Sequence, residues 1–313
     1  KVTAINTSGS MDTAGWAHLF KHDSVYGTWP EEVVALPPKE SAEIGRIKIG
    51  KDEYPVLAQR DPAKISWKDY KVDTVLECTG AFLNRKAESH FLGKAKKVIL
   101  SAPPKDKTIP TFVLGVNDDQ YDKQKLISNA SCTTNCLAPI AKVLVEEFGI
   151  VKGMMNTVHS YTNDQRVLDL DHDDLRRARA AAISLIPTST GAAKAIGLVI
   201  PELEGKLDGL AIRVPTPNVS LLDLTVELEK PATKQDINRA FQNASAGYLK
   251  GILKYTEEPL VSTDYRGEEH SAVLDGLLTM TMGDRMAKVI GWYDNEWGYS
   301  ARVLDAVEYI ASM

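Results

Sequence analysis

The sequence is poor in cysteine, with only Cys78, Cys132 and Cys136 among 313 residues. An odd and sparse set of cysteines argues against a disulfide framework and for a reducing compartment, so we expect a cytoplasmic protein. The chain also lacks any apolar run near the roughly 18 residues that a membrane span requires, and we expect no signal peptide. The composition therefore argues against a disulfide-rich secreted domain and against a membrane protein.

An excess of positive charge is lacking too, because 37 Lys and Arg stand against 42 Asp and Glu and give a net charge of −5. A general nucleic-acid binder is usually basic, so we expect no nucleic-acid partner. An acidic protein can still hold a phosphorylated ligand where arginine, lysine or backbone N–H groups cluster locally.

The length and the strand pattern predict two domains, since 313 residues are long for one hydrophobic core. In the N-terminal part buried strands alternate with helices, which predicts a parallel, doubly wound sheet. The second part predicts a larger, mostly antiparallel or mixed sheet. The predicted strands of the first part are 1–6, 73–80, 96–103 and 111–117, with helices at 13–23 and 85–95 and an antiparallel hairpin at 45–58; those of the second part are 152–161, 208–215, 219–230, 277–284 and 286–294, with helices at 133–149, 234–245 and 300–313.

One cysteine lies among hydroxyls and amides, in the stretch SNASCTTNC. Cys132 opens a predicted helix that Ser128, Asn129 or Ser131 can cap. A thiol in the first helical turn meets the positive end of the helix dipole and backbone N–H groups, which lower a thiol pKa and can hold an oxyanion. His159, at the end of a predicted strand, supplies the base that a cysteine nucleophile needs.

Other roles for the cysteines are less well supported by the sequence. Cys132 and Cys136 have the spacing of half a zinc site, but Cys78 is far away in the sequence, so we expect no metal. Cys136 falls one helical turn after Cys132 and is expected to pack beside it. Cys78 lies in a predicted strand and is expected in the core.

Six segments resemble the signature segments of the phosphorylating (type I) glyceraldehyde-3-phosphate dehydrogenase family: SNASCTTNCLAP, HSYTNDQR, DLRRARAAA, PTSTGAAKA, RVPTPNVS and WYDNEWGYS. They occur in the family's order and at its approximate spacing, and the resemblance extends from Lys1 to Met313. It implies an α/β fold, with a doubly wound, Rossmann-type sheet lacking its first β–α unit and an α+β catalytic domain. The implied dinucleotide-binding domain is 1–131 with 299–313 packing back on it, and the catalytic domain is 132–298.

The resemblance implies phosphate-dependent oxidation of glyceraldehyde 3-phosphate through a covalent thioester. Cys132 would attack the aldehyde carbonyl, and His159 would activate the thiol and take the proton during hydride transfer to NAD or NADP. Inorganic phosphate would then cleave the thioester to 1,3-bisphosphoglycerate. The family's anion-binding residues match Ser131, Thr133, Thr162, Arg177, Thr190, Gly191 and Arg213, and its cofactor-binding residues match Asn6, Thr7, Arg60, Thr79, Gly80, Asn295 and Tyr299.

Residues 161–184 resemble the family's S-shaped loop, which lies against the cofactor of a neighbouring subunit. The resemblance therefore implies a homotetramer, in which the charged segment DLRRARA is part of a subunit interface.

The sequence departs from the family in two places. No Gly-x-Gly-x-x-Gly fingerprint occurs, and KVTAIN matches the family's second strand, so about 25–30 residues are expected to be missing at the front. Thr7 stands where NAD-specific members carry an aspartate that binds the ribose 2′-OH and repels a 2′-phosphate. Thr7 therefore favours NADP, or the use of both cofactors, whereas Asp171 in the S-shaped loop argues against a 2′-phosphate.

Two other functions fit parts of the sequence. The first is that of erythrose-4-phosphate dehydrogenase, a close relative whose segments after the histidine and in the phosphate turn differ from those found here. The second is a non-catalytic binding or redox-sensing role, with Cys132 as an oxidisable thiol. The joint presence of Cys132, His159, Arg213 and Asn295 favours catalysis.

Overall fold

The computed structural model describes the whole chain, from Lys1 to Met313. The residues form two compact units: unit 1 comprises Lys1–Leu100, Lys105–Ile109 and Gln124–Ile127, and unit 2 comprises Ser101–Pro104, Pro110–Lys123 and Ser128–Met313. None of the helices combines the length and apolar character that crossing a bilayer would require.

Unit 1 contains a four-stranded sheet in the order β1-β6-β5-β4. Strand β1 pairs with β6 in parallel, whereas β5 is antiparallel to both β6 and β4, so the predicted hairpin at 45–58 is confirmed. Asp12 caps the only α-helix of this unit by accepting from Gly15 N at 2.8 Å. The elements are β1 (Ile5–Asn6), α1 (Thr13–Lys21), β2 (His22–Asp23), β3 (Gly27–Thr28), β4 (Val33–Leu36), β5 (Glu43–Ile49) and β6 (Asp52–Leu57).

A second, three-stranded sheet has the order β7-β8-β9, from β7 (Thr74–Glu77), β8 (Lys97–Leu100) and β9 (Leu126–Ser128). Strands β7 and β8 are parallel, and the segment between them contains a 3₁₀ helix over Arg85–Gly93, where the sequence predicted a helix. The α/β class is confirmed, although the strands of unit 1 are divided among three sheets, the third being the antiparallel pair β2–β3.

Two predictions in the first part of the chain are wrong. The segment 111–117 is a turn with one isolated bridge, because Asn117 accepts from Val113 N at 2.8 Å and donates to Thr111 O at 3.0 Å and so bonds its own backbone. Cys78 is exposed rather than part of the core, because β7 ends at Glu77 and the chain turns there.

Unit 2 is built on an eight-stranded mixed sheet in the order β11-β12-β10-β13-β17-β15-β14, with β16 paired to β17. The pairs β10–β12 and β14–β15 are parallel and the others antiparallel, which confirms the predicted mixed sheet. The elements are α2 (Cys132–Phe148), β10 (Ile150–Ser160), β11 (Ile186–Ser189), α3 (Ala192–Val199), β12 (Leu207–Val214), β13 (Ser220–Leu228), α4 (Lys234–Ala246), β14 (Leu253–Thr256), β15 (Ala272–Asp275), β16 (Met280–Met282), β17 (Met286–Tyr293) and α5 (Trp297–Ser312).

Helix α2 is the central element of the unit 2 core. Leu137, Ile140 and Leu144 recur at helical spacing on its buried face, and they belong to the same cluster as Leu222 and Leu224 of β13. Cys136 is also fully buried in this cluster, as expected for a packing residue. The burial fixes the direction of α2, and with it the position of Cys132 at its first residue.

The compact units do not coincide with the domains inferred from the resemblance. The segments 101–104 and 110–123 and helix α5 group with unit 2. The compact units are defined by contacts, so the division into functional domains remains a prediction.

Candidate active site

Cys132 is the first residue of α2, directly after a strained turn. Ser131 is the N-cap, and its Oγ accepts from Thr134 N at 3.1 Å. Ala130 precedes it at φ +56°, in the left-handed region that a residue with a Cβ seldom adopts. The Tyr299 hydroxyl donates to Ala130 O at 2.9 Å, and this contact holds the turn that aims Cys132.

His159, at the end of β10, brings a base to the thiol. Its Nε2 lies 3.5 Å from Cys132 Sγ, while its Nδ1 lies 2.7 Å from Ser160 O and 2.9 Å from an Arg213 guanidinium nitrogen. A guanidinium nitrogen can only donate, so Nδ1 cannot bond Ser160 O and Arg213 at the same time. In the tautomer whose Nδ1–H donates to Ser160 O, Nε2 carries the lone pair and can accept the thiol proton. The predicted Cys132–His159 pair is thus within hydrogen-bond distance in the structure.

Burial and positive charge keep this histidine neutral. Burial, together with the charges of Arg213 and Arg177, lowers the pKa of His159 to about 4, although the bond to Ser160 O acts in the opposite direction. At neutral pH the imidazole therefore has an unprotonated nitrogen for the thiol proton.

Burial also raises the pKa of the Cys132 thiol, against the lowering effects of a Thr133 hydrogen bond and the Arg213 charge. The helix position alone predicted a lowered thiol pKa, but desolvation outweighs it here. A thiolate at Cys132 therefore depends on transfer of the proton to His159 Nε2, and the two groups titrate as a pair.

Arg213 carries a positive charge that no carboxylate neutralises. Strands β10 and β12 are parallel with His159 opposite Arg213, so this register places the guanidinium beside the imidazole. Arg213 also donates to Ser160 O at 3.0 Å, but its buried Nε has no acceptor. Burial and the nearby Arg177 charge lower the pKa of Arg213. An unpaired, half-buried guanidinium is the feature expected of an anion site.

A second group of anion donors lies at the start of α3. Gly191 is the N-cap, and having no side chain it makes no capping hydrogen bond to the N-terminal N–H groups. The space where a Cβ at Gly191 would lie is empty within 4 Å. The Thr190 hydroxyl accepts from Ala192 N at 3.2 Å, which leaves its proton available to an anion. An accessible helix N-terminus of this kind suits phosphate.

The remaining predicted anion ligands are engaged with protein groups. Arg177 donates to Thr188 Oγ1 at 3.0 Å and forms an ion pair with Asp164. Thr133 is buried, with its hydroxyl 3.0 Å from Tyr293 Oη. The Ser131 hydroxyl caps α2, and Thr162 N donates to Gln165 Oε1 at 3.3 Å. Their roles toward anions stay predictions.

Asn295, predicted to bind the nicotinamide carboxamide, is held in a polar network of unit 2. Its Oδ1 accepts from Ser220 Oγ at 3.0 Å, and this bond fixes the orientation of the amide. The preceding residue, Asp294, accepts from Asn218 Nδ2 and from the backbone N of Glu296, which orders the turn into α5. A fixed amide donor suits a carboxamide ligand.

The predicted cofactor residues of unit 1 bond largely to their own surroundings. Asn6 makes two 3.0 Å bonds with the Gln59 backbone. The Thr7 hydroxyl donates to Leu57 O at 3.2 Å, and Arg60 Nε donates to Ser8 O at 3.1 Å.

Thr79 and Gly80 form an exposed turn directly after the carboxyl end of β7, the edge of a parallel sheet where ligands usually bind. Gly80 has φ +71°, and the space beyond it is open. An exposed turn with accessible backbone at this edge fits the ribose–phosphate part of a dinucleotide.

Sequence reasoning missed several polar residues that support these positions. Tyr293 Oη bridges Thr133 and Thr157, at 3.0 and 2.8 Å, underneath the His159 ring. Ser160 Oγ donates to Val219 O at 2.7 Å. Polar residues at buried positions of apolar strands are the signal that could have identified them.

Comparisons with known proteins identify the family of this chain. Residues 131–295 match the family model described as glyceraldehyde 3-phosphate dehydrogenase, C-terminal domain, and residues 1–85 match the NAD binding domain of the same family. The chain is 56% identical over 315 residues to the glyceraldehyde-3-phosphate dehydrogenase of Geobacillus stearothermophilus, which covers all of this chain and 91% of the relative.

A relative from a plant has similar identity. The chain is 52% identical over 316 residues to the chloroplastic glyceraldehyde-3-phosphate dehydrogenase GAPB of Arabidopsis thaliana, covering all of this chain and 69% of that protein. Family models match both parts of the chain, and these identities extend over its full length. The chain is therefore an oxidoreductase of the glyceraldehyde-3-phosphate dehydrogenase family.

Proposed function

We propose that this protein oxidises glyceraldehyde 3-phosphate to 1,3-bisphosphoglycerate with inorganic phosphate, through a thioester on Cys132. The observation that carries the proposal is the Cys132–His159–Arg213 arrangement, which joins a nucleophile, a neutral base and an unpaired cation. A noncatalytic binder needs no such set. The names of the relatives favour this reaction over erythrose 4-phosphate oxidation.

The first covalent step uses Cys132 and His159. The Sγ proton passes to His159 Nε2, and the thiolate attacks the aldehyde carbon. The backbone N–H groups at the start of α2 face the developing oxyanion, whose charge the helix N-terminus stabilises. The His159 imidazolium returns the thiol proton to the oxyanion, which gives the hydroxyl of the hemithioacetal and a neutral imidazole. His159 then takes that hydroxyl proton while the hydride leaves for the dinucleotide, and this proton transfer assists the oxidation to the thioester.

The residues fit a nicotinamide dinucleotide, since the Asn295 amide is oriented by Ser220 and the Thr79–Gly80 turn is open. The dinucleotide would supply a hydride acceptor. Asn295 would bind the carboxamide, and Tyr299, whose hydroxyl holds Ala130 O, would keep its ring near the nicotinamide. The turn after β7 would bind the ribose–phosphate part.

Two anions have to be bound, the phosphoryl group of the substrate and the attacking phosphate. Arg213 with Thr162 would hold one of them, and Gly191 with Thr190 and Ser131 the other. Arg177 would exchange a carboxylate partner for an anion, because its charge is paired with Asp164 in the unliganded protein.

We further propose NADP, or both cofactors, as the hydride acceptor. Thr7 places no carboxylate beside the ribose, so a 2′-phosphate meets no repulsion there. Arg60 makes no ion pair within the protein and is anchored by its Nε to Ser8 O, so its terminal nitrogens can meet a 2′-phosphate. Asp171, in the segment 161–184, is the group that opposes this preference.

A homotetramer and a cytoplasmic location complete the proposal. The segment 161–184 exposes several large apolar side chains, which a neighbouring subunit would cover. These are Val167, Leu168, Leu170, Leu175 and Ile183, each at least 62% exposed.

The test is absorbance at the reduced-nicotinamide band with glyceraldehyde 3-phosphate and phosphate, using NAD and NADP in separate assays. Turnover that depends on phosphate is the expected result, and the ratio of the two kcat/KM values measures the cofactor preference. Absence of turnover from folded protein with an alkylatable Cys132 would overturn the proposed activity. Strict use of NAD would overturn the proposed preference.

A further inference from the structure

A chain of buried polar groups lies beneath the Thr79–Gly80 turn of unit 1. Trp67 is 5% exposed, and Glu77 and His90 are each 4% exposed. The indole Nε1 lies 3.1 Å from His90 Nδ1, and His90 Nε2 lies 3.0 Å from Glu77 Oε2. Glu77 Oε1 accepts from Thr79 N at 2.9 Å and also from the Thr79 hydroxyl. Continuous hydrogen bonds therefore connect the buried indole to the exposed turn.

The hydrogen bonds that link Trp67, His90 and Glu77 all run in one direction, from the indole donor toward the carboxylate. An indole nitrogen can only donate, so His90 Nδ1 is an acceptor and the ring proton resides on Nε2. Nε2–H then donates to Glu77, whose carboxylate accepts from both sides. Burial acts to raise the pKa of Glu77, but the hydrogen bonds from His90 and Thr79 prevail and lower it. Trp67 therefore determines the tautomer of His90, and His90 determines the orientation of Glu77.

The hydrogen bonds of Thr79 show what the turn offers a ligand. Its hydroxyl donates to Glu77 and accepts from Ala81 N at 3.1 Å, so its proton is already used within the protein. The ligand-facing part of the turn is then its backbone, whose conformation Glu77 fixes from below. The Thr79–Gly80 turn is thus a rigid backbone surface rather than a pair of mobile side chains.

Stability alone does not require such a chain. A buried carboxylate and imidazole lose their hydration, and apolar side chains of similar volume commonly give equal or greater stability. The surroundings of these polar groups are apolar, since Val75 and Val98 are buried with Trp67 in one hydrophobic cluster. The polar groups instead determine the conformation of the one exposed segment that they reach.

We propose that Trp67 and His90 are positioning residues for the dinucleotide, which act through Glu77 to hold the Thr79–Gly80 turn in its binding conformation. This inference rests on the proposed function, because it requires a dinucleotide ligand. Neither Trp67 nor His90 belongs to the predicted cofactor site, and neither needs to touch the ligand.

The test measures the Kd of NAD and NADP for Trp67→Phe by titration of the full chain. Phenylalanine keeps an aromatic ring but removes the donor to His90, so we expect the Kd to rise on the order of fivefold. The ¹⁵N shifts of His90 should show a loss of the single Nε2–H tautomer. The iodoacetamide alkylation rate of Cys132 should remain that of the wild type.

Two further variants separate positioning from packing. His90→Gln can both accept and donate and should recover more affinity than His90→Phe. Val98→Ala, at a fully buried position of the same cluster, should lower Tm and leave the Kd unchanged.

Wild-type affinity in Trp67→Phe would overturn the inference, as would an equal loss of affinity in Val98→Ala. Dinucleotide binding without turnover would contradict the proposed activity alone. A wild-type protein that binds neither dinucleotide would overturn both.

Discussion

The two units prepare their predicted ligand sites in opposite ways. In unit 1 two of the predicted side chains are satisfied internally, since Asn6 bonds the Gln59 backbone and the Thr79 hydroxyl bonds Glu77. In unit 2 a guanidinium lacks a carboxylate partner, and its buried Nε lacks an acceptor. The predicted site of unit 1 has most of its hydrogen bonds made within the protein. The predicted site of unit 2 contains a charge that is unpaired until an anion binds.

This difference teaches where specificity and reactivity arise. A site whose side chains are hydrogen-bonded within the protein presents backbone groups in fixed positions. Its ligand is therefore selected by shape and by the few charges at the edge of the site. Burial and the unsatisfied cation together lower the pKa of the neighbouring His159, and the cation makes the site responsive to negative charge. Substitutions should therefore have large effects in unit 2 and modest effects in unit 1.

The largest effect is expected from Cys132→Ser, which removes the nucleophilic thiol beside which His159 and Arg213 lie. We expect kcat to fall on the order of 10⁴-fold or more, because the covalent step is lost. Dinucleotide affinity should be unchanged, as measured by titration. The control is Cys136→Ala, one turn along α2 and fully buried, which should lower Tm and keep kcat. Turnover by Cys132→Ser would refute the assigned nucleophile.

Arg213→Met should have the next largest effect, since it removes the unpaired charge. We expect kcat/KM for glyceraldehyde 3-phosphate to fall on the order of 100-fold, because charge-assisted bonds to the anion are lost. The loss with unphosphorylated glyceraldehyde should be much smaller. Arg239→Met is the control, because Arg239 is exposed, is paired with Asp236 and lies outside the segment 161–184. Equal losses with both substrates would argue against anion binding by Arg213.

The free energy of unfolding should depend on pH through His159. Unfolded histidine takes up a proton near pH 6.5, whereas the folded residue does so at about 4. Between these values the unfolded state binds more protons, so the stability from this group is present above pH 6.5 and falls by about 3 kcal/mol as the pH drops to 4. Denaturant titrations of wild type and His159→Asn across this window should differ in slope. Parallel profiles would show that the histidine is not held neutral.

The smallest effect is expected in unit 1, from Thr7→Asp. A carboxylate at this position should shift the ratio of kcat/KM values toward NAD by about tenfold, through repulsion of a 2′-phosphate. Thr7→Val is the matched control and should change the ratio little, because it adds no charge. An unchanged ratio in Thr7→Asp would place the 2′-phosphate away from Thr7.

The sequence predicted the elements that local patterns determine. The strand ending at His159 and the helix starting at Cys132 follow from alternation, capping and helical spacing, and the structure has both. The mixed sheet of unit 2 was predicted for the same reason. Local signals failed at 111–117, where the side chain of Asn117 bonds its own backbone and outweighs an apolar run.

Features that depend on distant partners could not be predicted in this way. The register of β10 with β12 places Arg213 beside His159, and strand sequences alone do not specify that register. Burial of Cys132, which raises its pKa, depends on the whole packed unit. Likewise, the contact of the Thr7 hydroxyl with Leu57 O is visible only once β1 and β6 have paired.

The bond between Tyr299 and Ala130 has a consequence for the synthesis of the protein. The two residues are 169 positions apart, so a nascent chain that has already displayed Cys132 must grow by that length before Tyr299 can secure the strained turn. Until then the turn that precedes Cys132 lacks the hydrogen bond from the Tyr299 hydroxyl. The hydrogen bond that holds this turn can thus form only after residue 299 has been synthesised.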